Sequence, residues 1–250
     1  MAQPKAIVLR AAGTNCDKES VFALEKAGFA AERVHVFRVI EEPALLDRAQ
    51  LLMIPGGFSY GDDVAAGKIL ANQMIHRLAE PLNRFVEGGK LVLGVCNGFQ
   101  VLIKSGLLPW GRAEADSAGR DATLAWNDCG SFVDRWVRLR ADGDRCVFLP
   151  PGARIELPIA HGEGKFVPRD DAVLDRLRRQ GQAALRYDGD NPNGSVDDIA
   201  GLCDPTGRVF GLMPHPERFV DIVQHPTWTR GDIQQADGLV IFQRAREYFQ

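Results

Sequence analysis

The sequence lacks the features that mark several broad classes of protein. No apolar run approaches the roughly 20 residues that cross a bilayer, and the run after Lys5 is too short for a signal-peptide core. The five cysteines are odd in number and form no Cys-x-x-Cys pair, which argues against a disulfide framework or a zinc ribbon. With 30 Lys and Arg against 33 Asp and Glu, a strongly basic nucleic-acid binder is not expected. We expect a cytoplasmic protein that binds neither membrane nor nucleic acid.

The first half of the sequence alternates short apolar strands with helices. The hydrophobic share of 45% is sufficient for a sizeable core. The pattern predicts strands over 5–10, 30–39, 51–54 and 91–95, and helices over 17–28, 64–86 and 98–105. We expect Asp17 to cap the first of these helices and Pro81 to interrupt the second. Apolar strands separated by helices indicate a parallel sheet covered on both faces.

The second half of the sequence is richer in strands. It predicts strands over 132–140, 154–159 and 209–213, helices over 170–180 and 237–249, and loops over 110–123 and 187–195. We find no repeat and no linker in the sequence. The chain is therefore predicted to form one α/β domain over 1–250, with a central mixed, mostly parallel sheet flanked by helices.

The segment around Cys96 is the strongest chemical signal. Gly94-Val95-Cys96-Asn97-Gly98 follows a predicted strand and begins a predicted helix, which is the form of a nucleophile elbow with cysteine in place of serine. The helix N-terminus favours the thiolate, and the Asn97 N–H is placed to stabilise an oxyanion. The alternative is an inert buried cysteine in a tight turn.

Two glycine-containing segments compete with this signal. Gly57-Phe58-Ser59-Tyr60-Gly61 matches the serine form of the elbow, but the flexible Pro-Gly-Gly before it favours a loop that binds a carbonyl or an anion. We therefore interpret Ser59 as a loop residue and Gly57 as a candidate oxyanion donor. Gly61–Lys68 departs from the phosphate-loop pattern in its spacing, its Ile69 and its two aspartates, so we reject nucleotide binding there.

A cysteine nucleophile needs a base, and the leading candidate is His215. Prolines on both sides of His215 favour an extended chain, in which residues two apart point to the same side. Glu217 can therefore orient the imidazole as the third member of a triad. A surface turn with a solvated His and Glu is the alternative. His161 and Glu163 could join this pair as metal ligands, but their spacing fits no zinc motif, and no metal site is expected.

Taken together, these segments resemble the class I, triad-type glutamine amidotransferases. In detail they are similar to the family of glutaminase subunits of phosphoribosylformylglycinamidine synthase. The matching segments are Gly13-Thr14-Asn15-Cys16-Asp17, Pro55–Asp62, Gly94-Val95-Cys96-Asn97-Gly98-Phe99-Gln100, Ala160-His161-Gly162-Glu163-Gly164, Asn193-Gly194-Ser195 and Met213–Arg218. The chain departs from the family at Ala12, where a proline is more usual, and matches poorly over 110–127.

The resemblance implies a flavodoxin-like fold and a set of site residues. Cys96, His215 and Glu217 would form the catalytic triad. Gly57 and Asn97 would hold the oxyanion, and Gln100 would help to hold the substrate amino acid. His161 and Glu163 would shape the glutamine pocket or an interface, Arg218 would pair with a carboxylate or contact the synthetase, and Cys16 would be structural.

The resemblance also implies partners for the chain. Glutamine would be hydrolysed through a cysteinyl thioester, and ammonia would pass to a large synthetase subunit that uses ATP and Mg²⁺ in purine biosynthesis. A small accessory subunit would complete the complex, and this chain itself would carry no cofactor. Two other hypotheses remain open. One is a free-standing cysteine hydrolase or an amidotransferase of another pathway, and the other is a non-catalytic binding module.

Overall fold

The computed structural model describes residues 3–115 and 121–250, so residues 116–120 of the predicted 110–123 loop lie outside the described residues. The strands are β1 (Lys5–Arg10), β2 (Ala30–His35), β3 (Leu51–Ile54), β4 (Leu91–Val95), β5 (Ala122–Ala125), β6 (Val133–Ala141), β7 (Arg154–His161), β8 (Lys165–Pro168), β9 (Leu185–Tyr187), β10 (Ile199–Cys203) and β11 (Val209–Leu212). The helices are α1 (Asp17–Lys26), α2 (Val36–Glu41), α3 (Lys68–Glu87), α4 (Asn97–Ser105), α5 (Leu107–Trp110), α6 (Asp171–Arg179) and α7 (Asp237–Glu247). Short 3-10 turns occupy Pro43–Arg48, Ser59–Asp62, Val196–Asp198, Pro216–Arg218, Ile222–Gln224 and Trp228–Arg230.

Nine of the strands form one mixed sheet in the order β2-β1-β3-β4-β11-β10-β9-β6-β7. The first five are parallel to their neighbours, and the remaining pairings are antiparallel. β5 and β8 form a separate antiparallel pair. The predicted α/β fold with a mixed, mostly parallel sheet is confirmed, because only β10 and β6 run against the other seven strands of the large sheet.

Helices cover both faces of the parallel part of the sheet. α1 connects β1 to β2, which lies on one side of β1, and α3 connects β3 to β4, which lies in the opposite direction along the sheet. Because both crossovers are right-handed, the two helices lie on opposite faces. α7 packs beside α1, and α4 packs beside α3. Every residue of β3, β4 and β11 is buried, as expected for strands covered on both sides.

The second predicted strand is too long. It ends at His35, and Val36–Glu41 forms α2. The alternating valines suggested a strand, but Val36 and Val39 are three residues apart and are both buried, which is the spacing of one helix face. The His35 Nδ1 accepts the Phe37 N–H at 3.3 Å and so caps the helix.

Two predictions about helix boundaries are also wrong. α3 runs without interruption through Pro81, since its buried face, which includes Leu78 and Leu82, packs against the core on both sides of the proline. The cap position of α1 is Cys16, and Asp17 is the first helical residue. The Asp17 carboxylate instead pairs with Arg33 at 3.2 Å, which draws it away from the helix end.

The predicted site residues follow strands that lie side by side. β3, β4 and β11 are neighbours, and they end at Ile54, Val95 and Leu212. Parallel strands present their carboxyl ends at one edge of the sheet, which is where open α/β folds place their ligands. The fold thus brings the segments around Gly57, Cys96 and His215 to a common edge. Among the described residues, no helix combines the length and apolar character required to cross a membrane.

Candidate active site

Cys96 occupies a strained turn between β4 and α4. Its φ of 52° is in the left-handed region that L-residues seldom adopt. Its N–H donates to the Leu212 carbonyl at 2.8 Å, and its carbonyl accepts the Phe99 N–H at 2.9 Å. The strand, sharp turn and helix of a nucleophile elbow are therefore all present.

The glycines on both sides of Cys96 are required by close packing. A Cβ at Gly98 would lie 1.8 Å from the carbonyl oxygen of Ile54 in β3. A Cβ at Gly94 would lie 2.5 Å from Leu102 Cδ1 and 2.7 Å from the Gly98 oxygen. Only glycine allows α4 to begin this close to the sheet.

His215 and Glu217 form a buried hydrogen-bonded pair. The His215 Nδ1 and Glu217 Oε1 are 2.6 Å apart, and the two residues are 2% and 1% exposed. Burial opposes charge on the imidazole, but the Glu217 carboxylate and the Cys96 sulfur outweigh it and raise the pKa of His215 well above its ordinary value. The Glu217 carboxylate thus fixes the tautomer with the proton on Nδ1 and stabilises the imidazolium form.

The structure brings this pair to Cys96. A Cβ at Gly56 would lie 2.9 Å from His215 Cε1 and 3.4 Å from Cys96 Cβ. Both side chains therefore pack against Gly56. The His215 Nε2 is buried and has no hydrogen-bond partner among the described residues. The nucleophile and base that were predicted from distant segments are adjacent.

Two cavities adjoin Cys96, and Gly57 lines both. The larger, of about 420 Å³, is also lined by Asp62, Gln100, His161 and Glu163. The smaller, of about 240 Å³, is lined by Cys16, His215 and Arg218. A cavity of about 510 Å³ lies near the amino ends of β1 and β2, but it contains none of the predicted site residues.

Two backbone N–H groups beside Cys96 are unpaired. Gly57 has φ of 140°, and a Cβ there would lie 2.8 Å from the Asn15 nitrogen, so only glycine brings this backbone so close to its neighbour. Neither the Gly57 N–H nor the Asn97 N–H donates to any other residue that the structure describes. Asn97 is the first residue of α4, where an N–H lacks an intrahelical acceptor. Both groups are available to an oxyanion.

The Asn97 side chain links three parts of the site, which sequence reasoning did not foresee. Its Oδ1 accepts the Ser59 N–H at 3.2 Å, and its Nδ2 donates to Asp62 Oδ1 at 3.2 Å and to Gln100 Oε1 at 2.9 Å. The Gln100 Nε2 donates in turn to the Glu163 carbonyl at 2.6 Å. Ser59 is thus a loop residue held by Asn97. Substrate binding by Gln100 remains a prediction, because both of its amide atoms already have protein partners.

We expect Asn97→Ala to slow glutamine hydrolysis by about 10- to 100-fold, mainly in kcat, because the loop that carries Gly57 loses its attachment to the nucleophile helix. Steady-state kinetics measure this effect. Asn83→Ala is the matched control, since the Asn83 amide also makes two hydrogen bonds, both to Ala113 and far from Cys96. Equal kcat values for the two variants would contradict the role given to the Asn97 side chain.

Cys16 is a second thiol in the site that the sequence interpretation underestimated. Its Sγ accepts from Arg218 Nη2 at 3.2 Å and lies within 4.8 Å of ligand atoms of His215 and Glu217. Burial raises the pKa of Cys16 to about 11, so the thiol stays protonated at neutral pH and is a poor nucleophile. Arg218 also pairs with Glu19 at 3.1 Å, which is one of its two expected roles. Because Cys16 follows β1, next to β3, its place at this edge could have been inferred.

The remaining histidines are separate from the nucleophile, except His161. His76 is exposed on α3, and His225 packs against Trp136 with ring centroids 4.4 Å apart. His161 ends β7 and lines the larger cavity together with Glu163. This placement agrees with the expectation that the two residues shape a pocket.

Comparisons with known proteins give consistent results. Residues 3–249 match the family described as the CobB/CobQ-like glutamine amidotransferase domain. The chain is 42% identical over 254 residues to phosphoribosylformylglycinamidine synthase subunit PurQ of Dehalococcoides mccartyi, covering 98% of this chain and 97% of the relative. It is 41% identical to the PurQ subunit of Treponema denticola, with coverage of 88% and 90%. A chain in the structure of PurLQS from Thermotoga maritima superimposes with a TM-score of 0.79 at 34% identity, covering 100% of both chains.

Proposed function

Because this chain belongs to the CobB/CobQ-like glutamine amidotransferase family, we propose that it is the glutaminase subunit of phosphoribosylformylglycinamidine synthase. It hydrolyses glutamine and supplies the ammonia for a step of purine biosynthesis. The observation that carries this proposal is the strained Cys96 beside the buried His215–Glu217 pair, with unpaired N–H groups next to the sulfur. The relatives named as PurQ subunits, which match over nearly the whole chain, support the choice of pathway.

The first half of the reaction forms a thioester. The Cys96 thiolate attacks the side-chain carbonyl carbon of glutamine, and the carbonyl oxygen becomes an oxyanion. The N–H groups of Gly57 and Asn97 bind that oxygen, which in comparable sites stabilises the transition state by about 3–4 kcal/mol per donor. His215, held as an imidazolium by Glu217, gives its Nε2 proton to the departing nitrogen. The products are ammonia and a γ-glutamyl thioester on Cys96.

The second half of the reaction restores the enzyme. The now neutral His215 accepts a proton from water, and the resulting hydroxide equivalent attacks the thioester carbon. The same two N–H groups stabilise the second oxyanion. Collapse expels the Cys96 thiolate and releases glutamate, which leaves the thiolate beside the imidazolium that His215 formed when it took the proton from water.

The proposal also assigns partners. Ammonia passes to a large synthetase subunit, which uses ATP and Mg²⁺ to convert formylglycinamide ribonucleotide to the amidine, and a small accessory subunit completes the complex. The similar chain in the PurLQS structure supports an assembly of this kind. The whole chain acts as one glutaminase domain. The cytoplasmic location expected from the sequence remains a prediction.

Reconstitution tests the proposed function. The chain is mixed with the synthetase and accessory subunits, and amidine formation is measured with glutamine and, separately, with ammonium salt as nitrogen donor. We expect the glutamine-dependent reaction to require this chain and the ammonia-dependent reaction to proceed without it. Rapid glutamine hydrolysis by the isolated chain, with no transfer to the synthetase, would favour a free-standing hydrolase. No turnover of glutamine in the full complex would favour a binding module.

A further inference from the structure

His161 is a buried histidine on the wall of the larger cavity, and the mechanism above does not use it. It is 3% exposed and lines the cavity together with Cys96 and Gln100. Its neighbour Ala160 contributes the carbonyl that lies 3.7 Å from Cys96 Sγ. Because His161 and Cys96 line the same cavity, a substrate bound there can contact both residues.

The hydrogen bonds of Asn127 determine the tautomer of His161. The Asn127 Nδ2 donates to the carbonyls of Ser131 at 3.0 Å and of His161 at 2.8 Å, and its Oδ1 accepts the Gly164 N–H at 3.2 Å. That same Oδ1 lies 3.1 Å from His161 Nδ1. Since an amide oxygen only accepts, the proton is on Nδ1 and Nε2 presents a bare lone pair.

The His161 ring is also uncharged and fixed in place. Burial, reinforced by the nearby His215, lowers the pKa of His161 to about 4. A Cβ at Gly164 would lie 2.2 Å from Cε1 and 2.3 Å from Nδ1, so the ring packs directly against the Gly164 backbone. The lone pair on Nε2 therefore persists at neutral pH in a defined position.

The described residues give Nε2 of His161 no donor. It is buried without a hydrogen-bond partner. The charged side chains on the cavity wall are Asp62 and Glu163, whose carboxylates only accept, and the Gln100 amide directs one N–H to the Glu163 carbonyl and none to His161 Nε2. Lys104, which interacts with both carboxylates, donates to the Ala66 carbonyl at 2.5 Å. A ligand bound in the cavity can supply the donor that Nε2 lacks, and this matters because a buried acceptor without a donor is costly.

We infer that His161 distinguishes glutamine from glutamate, its Nε2 accepting a hydrogen bond from the side-chain carboxamide N–H₂ of glutamine. Glutamate presents only acceptor oxygens at the same place, so its carboxylate would meet the lone pair without a proton between them. His161 therefore favours the substrate over the product at a site that must release glutamate after each turnover. This inference rests on the proposed glutaminase function.

The test uses the reconstituted complex with His161→Leu. We expect kcat/KM for glutamine to fall about 10- to 100-fold, as when a site loses the polar group that recognises a substrate N–H. The inhibition constant of glutamate, measured in competition with glutamine, should stay the same or decrease. Because the KM for glutamine rises, the ratio of the glutamate inhibition constant to this KM should fall by about 10-fold or more. His161→Gln, which restores an amide oxygen near the former Nε2, should recover most of the discrimination.

Three controls separate the possible outcomes. His76→Leu, on the exposed face of α3, should leave both constants unchanged. Ammonia-dependent synthesis reports whether the complex is intact, and His161→Met repeats the measurement if the leucine variant fails to fold. A parallel rise of KM and of the glutamate constant, or no change in either, would overturn the role of His161. An inactive wild-type complex would instead overturn the proposed function.

Discussion

Replacing Cys96 with alanine is expected to lower glutamine-dependent amidine formation by about 10⁴-fold or more, while ammonia-dependent formation continues at the wild-type rate. The alanine variant cannot form the thioester, and removal of a nucleophile costs nearly all of the chemistry that a triad supplies. The synthetase subunit still receives its nitrogen when ammonia is added to the solution. Initial rates with the two nitrogen donors, measured on the same reconstituted complex, provide the comparison.

Other cysteines serve as controls for this result. Cys129 is exposed and lines neither cavity, so Cys129→Ala should retain full activity with both nitrogen donors. A glutamine-analogue electrophile should modify Cys96 in competition with glutamine. Cys16, whose thiol is protonated, should not be modified. Loss of ammonia-dependent synthesis in Cys96→Ala, or labelling confined to Cys16, would show that the nucleophile is wrongly assigned.

The second large effect is expected on stability, from Gly98→Ala. The new methyl group would lie 1.8 Å from the Ile54 carbonyl oxygen, and because that oxygen belongs to the backbone of β3, no side-chain rotation relieves the clash. Alanine gains about 1 kcal/mol in helix propensity over glycine, but overpacking of a rigid core costs more. We expect the free energy of unfolding to fall by about 3–5 kcal/mol, measured by urea denaturation.

Gly88→Ala provides the matched comparison. Gly88 follows α3, has φ of −68°, and offers a Cβ no contact nearer than the Arg84 oxygen at 3.1 Å. Its substitution should change the free energy of unfolding by no more than about 1 kcal/mol. If Gly98→Ala proved as stable as Gly88→Ala, the close approach of α4 to β3 would not be the reason for glycine at position 98.

The sequence is most informative where a strand is buried on both faces. β1, β3 and β4 are predicted to the residue because parallel strands covered by helices are compact apolar runs with sharp ends. The β2–α2 boundary was missed, since valines alternate along a strand and also recur at helical spacing. β5, β8, β9 and β10 were missed as well, because none of them contains three consecutive large apolar residues, the run that marks β1, β3 and β4.

The site shows a similar division. The Cys96 elbow and the His215–Glu217 pair depend on local chain geometry, so short segments are sufficient to predict them. The bonds of the Asn97 side chain to Ser59 and Asp62 join residues 35 to 38 positions apart, and those of Asn127 to His161 join residues 34 apart. These contacts form only when the chain folds, so no local sequence pattern predicts them.

The anchoring of Cys96 has a consequence for which changes the protein tolerates. Its N–H is bound to β11, its helix rests on β3, and its own strand lies between them. The sulfur is therefore held by three fully buried strands at the centre of the sheet, whereas Phe58, Trp126 and Phe132 at the cavity wall are exposed. Insertions or exchanges among these outer residues can reshape the entrance while the reactive atom keeps its position.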